Sequence, residues 1–334
     1  MSRYVIIGAG AVGASLAAEF ESAGIAYALV GRGEQVRHLQ AHGLTYRRPS
    51  GTQQIRLNVF DAREPPELTD DDILVLAVKA QDVEAATAFW AHRPVAGSPE
   101  TAGYRLPLVT LQNGLAAETL ASRRFAKVYG ASILTPARFT ETGTVVCAGS
   151  PQVGALVLGV YPKGTDATAE AIGADLTRAN YLVEVRDDVL RWKAVKLVYN
   201  VRNVLEVFDG TAEEAAAFGD ALSEEAVRVL TAAGYEIAEQ SERRVSLAGW
   251  GRAPDSGIEA GQQSTWQSFV RGVPSEVDYL NGEIVRLGRR HGLATPYNLA
   301  VQEAAARLAF TGGRPGSISL HEVRAFVKES ETRL

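Results

Sequence analysis

The chain has 334 residues, 46% of them hydrophobic and 22% charged, with a formal net charge of -5. That length exceeds one ordinary core and points to two domains, and the composition excludes a disordered chain. The acidic balance, with no lysine or arginine run, excludes a nucleic-acid binder, and the lone Cys147 excludes an internal disulfide or a cysteine metal cluster.

Met1-Ser2-Arg3 leads directly into Tyr4-Val5-Ile6-Ile7, without a charged leader, a long apolar core or a small-residue cleavage site, so no export signal is read. No stretch of about eighteen uncharged apolar residues occurs, so no membrane span is expected and the chain is read as cytosolic. Gly8-Ala9-Gly10-Ala11-Val12-Gly13 follows that first strand and opens an apolar helix from Ala14 to Phe20. In this context Gly8 allows a tight turn, Gly10 lets backbone approach a pyrophosphate, and Gly13 lets helix and strand pack closely. The helix N-terminus then offers free N–H groups and a positive dipole end to the phosphates.

The second strand, Ala26 to Val30, runs into Gly31-Arg32, where an NAD-binding chain carries an acid for the ribose hydroxyls. A guanidinium suits a 2'-phosphate, because its planar fork donates paired, charge-assisted hydrogen bonds. NADP(H) is therefore the expected cofactor; Arg37 is a second candidate for the same task, and a solvated surface arginine is the plain alternative. Between Gly43 and Leu68 the alternation of Leu44, Tyr46, Ile55, Leu57 and Val59 around Ser50-Gly51 predicts a β excursion.

Ile73 to Val78 is apolar throughout, hence a central strand, and it ends in Lys79. Leu108 to Leu111 runs likewise into Gln112-Asn113-Gly114. Ligands of open α/β sheets bind outside such strand ends, so Lys79 and Asn113 are candidate site residues. A surface lysine leading a helix and an ordinary Asn-Gly turn are the plain alternatives. A further strand is read at Val128 to Ser132, and the β-rich stretch from Ala137 to Val157 is expected to close the sheet.

Beyond Asp187 the strand signals give way to helical periodicity. The expected fold is α/β, with an N-terminal Rossmann-type doubly wound sheet followed by an all-α C-terminal domain. The domains are read as 1–185 for NADP binding and 186–334 for substrate and catalysis. Trp192 to Leu205 reads as one buried helix on which Lys193, Lys196, Asn200 and Asn203 share a stripe. Burying such groups without partners costs several kcal/mol, so they either line a polar cleft or form a structural network. A later helix starts after Pro274, with Ser275 and Asp278 as a capping-box-like pair, and ends at Gly292. The five histidines are scattered without ligand spacing, so no metal is expected.

Taken together, the glycine turn, Arg32, Val78-Lys79-Ala80, Leu111-Gln112-Asn113-Gly114, Lys196-Leu197-Val198-Tyr199-Asn200 and Ser275 to Gly282 resemble the ketopantoate reductase (2-dehydropantoate 2-reductase) family across nearly the whole chain. The resemblance implies hydride transfer from NADPH to a small-molecule 2-oxo acid. It makes Lys196 the general acid, with Glu276 beside it as a catalytic residue. It assigns substrate to Asn113, Asn200, Asn203, Ser264 and Lys79, and cofactor to Gly8, Ala9, Gly10, Ala11, Val12, Gly13, Arg32, Lys79, Asn113 and Glu276. Glu276 also follows Ser275 at a helix start, where a carboxylate favours the dipole. The chain departs from the family pattern at Asn203-Val204, at Ser268 where aspartate is common, and at Asp82 where glutamine is usual. Open alternatives are a reductase of another keto acid or of an opine-type imine, and a non-catalytic NADP(H)-binding regulator; a homodimer is a further open outcome.

Overall fold

The computed structural model describes residues 2–254, 256–258 and 261–332. Its contacts divide the chain into two compact units. The first comprises Met1–Gln112, Ala117–Val189 and Arg243–Glu259, and the second Asn113–Ala116, Leu190–Glu242 and Ala260–Leu334. The units are thus not contiguous along the chain, as a single boundary at 185/186 would require.

The strands of the first unit are β1 (Arg3–Ile7), β2 (Tyr27–Gly31), β3 (Leu44–Arg48), β4 (Gly51–Ile55), β5 (Val59–Asp61), β6 (Asp72–Leu76), β7 (Pro107–Thr110), β8 (Lys127–Leu134), β9 (Ala137–Glu141), β10 (Thr144–Cys147), β11 (Gly149–Ser150), β12 (Gly154–Val160), β13 (Tyr181–Val185) and β14 (Gly251–Arg252). Eight of them form the main sheet in the order β13-β12-β8-β7-β6-β1-β2-β5. All neighbours in it are parallel except β12 against β8. Successive residues of β1 feed opposite faces: Tyr4 and Ile6 join one apolar cluster, Val5 and Ile7 the other. The first face is covered by α1 (Ala11–Ala23), through Ala14, Leu16 and Phe20, with α2 (Gly33–His42) adding Leu39. The second is covered by α3 (Val83–Ala91), α4 (Ala102–Arg105) and α5 (Ala116–Ala121), through Val83, Trp90, Ala102 and Ala121. Helix α6 (Ala167–Arg178) returns to the first face through Ala169, Ile172 and Leu176. Burial on both faces of the sheet contributes roughly 1.5–3 kcal/mol per large apolar side chain.

The β excursion between Gly43 and Leu68 is present as β3, β4 and β5, and the reading of the 137–157 stretch is corrected in part. The excursion after α2 yields a separate four-stranded sheet, β4-β3-β10-β9, whereas β5 leaves it to pair with β2 in the main sheet. Accordingly the 137–147 stretch builds that smaller sheet and does not close the large one; β12 and β13 do so. The small sheet is tied to α1 by buried Glu19, which accepts from Tyr46 Oη at 2.9 Å and from Arg48 Nη1 at 2.7 Å. Residues 243–258 return to the first unit by pairing β14 with β11 and by resting Ile258 on Val146 and Ala148.

The second unit holds the helices α7 (Val189–Asn200), α8 (Ala212–Ala232), α9 (Ser264–Val270), α10 (Val277–His291), α11 (Pro296–Phe310) and α12 (Leu320–Thr332) around one apolar core. The single helix read from 192 to 205 is in fact α7 followed by a 3₁₀ segment, Val201–Val207. Asn281 Nδ2 donates to the Val201 carbonyl at 2.9 Å, engaging an acceptor that an α-helix would use for its own ladder. At the start of α10 the Ser275–Asp278 capping pair is absent: Glu276 occupies the N-cap position but its side chain does not cap the helix, and Asp278 accepts from Gln302. A capping box does form at α8, between Thr211 and Glu214. Gly292 closes α10 in the left-handed conformation.

Candidate active site

In the first unit the site is built from backbone. Gly8 has φ +119°, and a Cβ there would lie 2.7–2.8 Å from the backbone of Ala77 and Val78. A Cβ on Gly13 would land on the carbonyl oxygen of Gly8, so any side chain at either position opens the β1–α1 turn. Gly10, by contrast, faces open space, with no atom within 4 Å of a Cβ placed on it. The first turn of α1 carries no acidic residue, which leaves its positive end for an anion.

Flanking β1, the exits of β2 and β6 bring charges to the same edge. Arg32 stands at the start of α2 with its side chain 80% exposed, and its Nη2 lies 3.3 Å from Oδ1 of Asp82. Next to β2, Asp61 ends β5 opposite Gly31 and is held by Arg63 in a paired contact at 2.9 and 3.0 Å. Those hydrogen bonds bring the Asp61 carboxyl down to about 2, and the nearby charge of Arg37 acts in the same direction. Arg37 therefore sits by an acid already engaged with Arg63. Asp61 and Arg63 escaped the sequence reading; the signal was an acid closing a short apolar run. Lys79 precedes the 3₁₀ turn Ala80–Asp82 and is half-buried. Buried Gln112 donates to the carbonyls of Leu76 at 3.0 Å and Val78 at 2.8 Å, fixing the exit of β6 that carries Lys79. Gln112 is a positioning residue that the motif contained but the reading left without a role.

In the second unit the site is built from side chains on short, pinned segments. The 113–116 turn lies against the first turn of α10, where a Cβ on Gly114 would meet the Tyr279 carbonyl at 2.6 Å. This brings the turn that carries Asn113 to the helix end that carries Glu276, which is buried. Lys193 is 2% exposed and Asn200 and Asn203 are 9% exposed, while Lys196 is half-buried. Asn203 lies on the 3₁₀ segment, so the stripe it was expected to share with Lys196 and Asn200 is not a continuous helical one. The carbonyl of Val198 accepts from Ser223 Oγ at 3.1 Å, and α9 is moored to the 3₁₀ segment by Glu206, which accepts from Gln263 N and Nε2 at 2.8 Å each. Ser264 therefore begins α9 beside the segment that carries Asn203. The hydroxyl of Ser268 turns back onto the Ser264 carbonyl at 2.9 Å. Arg202, between Asn200 and Asn203, pairs with Asp220 at 3.0 Å.

Two buried polar atoms here lack a hydrogen-bond partner among the described residues: Asn113 Oδ1 and Asn200 Nδ2. One orphaned acceptor and one orphaned donor are what a bound molecule with its own amide or carbonyl groups would satisfy. Within the first unit, the glycine cradle and the uncompensated N-terminus of α1 fit the pyrophosphate of a nicotinamide dinucleotide. Among the described residues, no group of three or more histidine, cysteine or acidic side chains is placed to hold a metal, and no helix is long and apolar enough to cross a membrane.

A mainly parallel sheet of this order with a glycine turn between β1 and α1 defines a dinucleotide-binding unit, here joined to a helical one. The profile described as "Ketopantoate reductase PanE/ApbA" matches residues 4–163, and that described as "Ketopantoate reductase PanE/ApbA C terminal" matches residues 190–309. The chain belongs to the ketopantoate reductase family. It is 24% identical over 303 residues to the 2-dehydropantoate 2-reductase of Pyrococcus horikoshii, a match covering 89% of this chain and 94% of that one. With the 2-dehydropantoate 2-reductase of Archaeoglobus fulgidus it shares 28% over 306 residues, covering 89% and 95%. Its fold is shared with a D-mandelate dehydrogenase solved with NADH and anilino(oxo)acetate, at TM-score 0.77 and 18% identity over 93% of this chain and 99% of that one. It is likewise shared with a PanE/ApbA family ketopantoate reductase of Ralstonia eutropha JMP134, at TM-score 0.72 and 23% identity over 93% and 99%.

Proposed function

We propose that the protein reduces a 2-oxo acid to the 2-hydroxy acid with NADPH, with 2-dehydropantoate as the first substrate to test, and that Lys196 is its general acid. The observation that carries this reading is the pinned segment of α7 and its 3₁₀ extension, which holds Lys196 beside Asn200, whose buried Nδ2 has no hydrogen-bond partner among the described residues. The bound nicotinamide supplies the hydride. As the carbonyl carbon is reduced, negative charge grows on its oxygen; the Lys196 ammonium stabilises that charge and passes its proton to it. Asn200 Nδ2 donates to a substrate oxygen, and Asn203 and Ser264 complete the polar lining on the neighbouring 3₁₀ segment and α9. Glu276, buried at the start of α10, keeps the lysine charged.

In the first unit, Gly8 to Gly13 receive the pyrophosphate, Arg32 the 2'-phosphate, and Lys79 stands at the exit of β6 for the nicotinamide end; in the second unit, Asn113 is assigned to the cofactor as well. The reading divides the labour as cofactor binding by the Rossmann unit and proton delivery by the helical one. It is tested by following NADPH absorbance with a panel of 2-oxo acids, each with and without an added amine. Turnover of a 2-oxo acid alone is expected; turnover only when amine is present would replace the keto-acid reaction by imine reduction, and no turnover with any member would overturn the assignment.

A further inference from the structure

Arg32 and Asp82 come from opposite sides of the glycine turn. In the order β6-β1-β2, Asp82 lies in the 3₁₀ turn after β6 and Arg32 directly after β2, with the turn itself at the end of β1 between them. Neighbouring strands are spaced about 4.8 Å apart, so the two flanking strand ends stand roughly 10 Å from each other, a span that one long arginine side chain crosses. Their 3.3 Å contact therefore bridges the edge at which the turn opens to a dinucleotide. Both partners keep solvent contact, with side chains 80% and 39% exposed, so the bridge is weak enough to yield to a ligand.

We propose that Asp82 is a second determinant of cofactor choice and that it opposes Arg32, keeping the preference for NADPH over NADH small. This rests on the reading of Arg32 as the 2'-phosphate group's partner. A phosphate that reaches the guanidinium comes within a few ångströms of a carboxylate already bound to the same nitrogen, and like charges at that distance repel. A 2'-hydroxyl meets the opposite situation: it donates to the Asp82 carboxylate, which has no like charge to repel. The pair thus offers an acid to NADH and a base to NADPH at one place. With both groups in contact with water the repulsion is screened, and its removal is worth about three- to tenfold in affinity rather than hundreds.

The test is fluorescence titration of NADPH and of NADH into the free protein, which needs no substrate. Asp82→Asn is expected to tighten NADPH about three- to tenfold, less so as salt is raised, and to weaken NADH about two- to threefold. Arg32→Ala serves as the control. If it leaves the ratio of the two affinities unchanged, the 2'-phosphate reading falls and the Asp82 proposal with it. If Arg32→Ala weakens NADPH but Asp82→Asn also weakens it, or moves both cofactors alike, Arg32 keeps its role and the proposal for Asp82 alone is overturned.

Discussion

The glycine turn of the first unit and the α7 segment of the second present polar groups by opposite means. At the turn the backbone does the presenting, through atoms that a Cβ at Gly8 or Gly13 would displace, and the nearby charges of Arg32 and Asp82 remain solvated. Along α7 and its 3₁₀ extension the presenting groups are side chains, and Lys193, Asn200 and Asn203 are all buried. A solvated charge tunes affinity and is screened by salt. A desolvated donor held by fixed neighbours acts on charge that develops during a reaction, where water would otherwise have to reorganise. Under the proposed function, recognition of the dinucleotide and chemistry on the carbonyl thus draw on different physical resources.

The largest effect that can break this contrast is on turnover. Lys196→Ala is expected to lower kcat by about 10²–10⁴-fold while NADPH affinity, read by fluorescence, hardly moves; parallel losses in both would erase the division of labour. Next comes Arg32→Ala, which should weaken NADPH by about ten- to a hundredfold and leave NADH nearly unchanged, in line with the loss of a charge-assisted pair.

A smaller effect sharpens the role of the supports. Asn281→Ala removes the donor to Val201 and leaves the Asn298 side chain without its neighbour, so thermal or urea unfolding should show a loss of about 1–3 kcal/mol. Because that bond holds the segment after Asn200, kcat/KM should fall as well, with cofactor affinity retained. An unchanged kcat/KM would limit Asn281 to stability.

The smallest expected effect concerns Glu225, which accepts from the backbone N–H groups of Tyr297 and Asn298 and from Asn298 Nδ2 at 2.8–2.9 Å. Glu225→Gln turns an amide NH₂ toward these donors and should cost about 1 kcal/mol in unfolding free energy. Burial raises the Glu225 carboxyl above the ordinary range despite those bonds. The folded protein therefore keeps that proton to higher pH than the unfolded chain, and the wild type loses stability as pH rises through this window. Glutamine does not titrate, so the wild type's advantage in Tm over the variant should shrink between mildly acidic and neutral buffer; a widening gap would reverse the sign.

Much of the first unit was legible because its cues are local. Gly8 to Gly13, directly after an apolar run, form the turn between β1 and α1 that their spacing predicts. What escaped is what long-range pairing decides. Where α7 gives way to the 3₁₀ segment, the Val201 carbonyl accepts from Asn281, eighty residues later. The chain of Asn281, Asn298 and Glu225 joins three helices, α10, α11 and α8, and no spacing within any one of them announces it. Ser275 and Asp278 had the letters of a capping box, yet Gln302 claims the aspartate, while the box that forms, Thr211 with Glu214, was not singled out. At the site itself the residue types were readable, but the supports Gln112, Glu206 and Asn281, and the pairing of Arg32 with Asp82, were not.

The return of residues 243–258 to the Rossmann unit bears on how the molecule can be taken apart. Glu184 on β13, with a side chain 2% exposed, has Arg243 at 3.6 Å and accepts from the N–H groups of Arg244 and Val245 at 3.1 and 3.2 Å. A fragment severed after Val189 forfeits all three and leaves that carboxylate with only Arg186, at 3.8 Å, as a cation among the contacts described. Chimeras that exchange the C-terminal half between relatives at one junction would carry the same defect into every hybrid, whereas transplanting the 243–258 loop along with the N-terminal part would preserve the clasp.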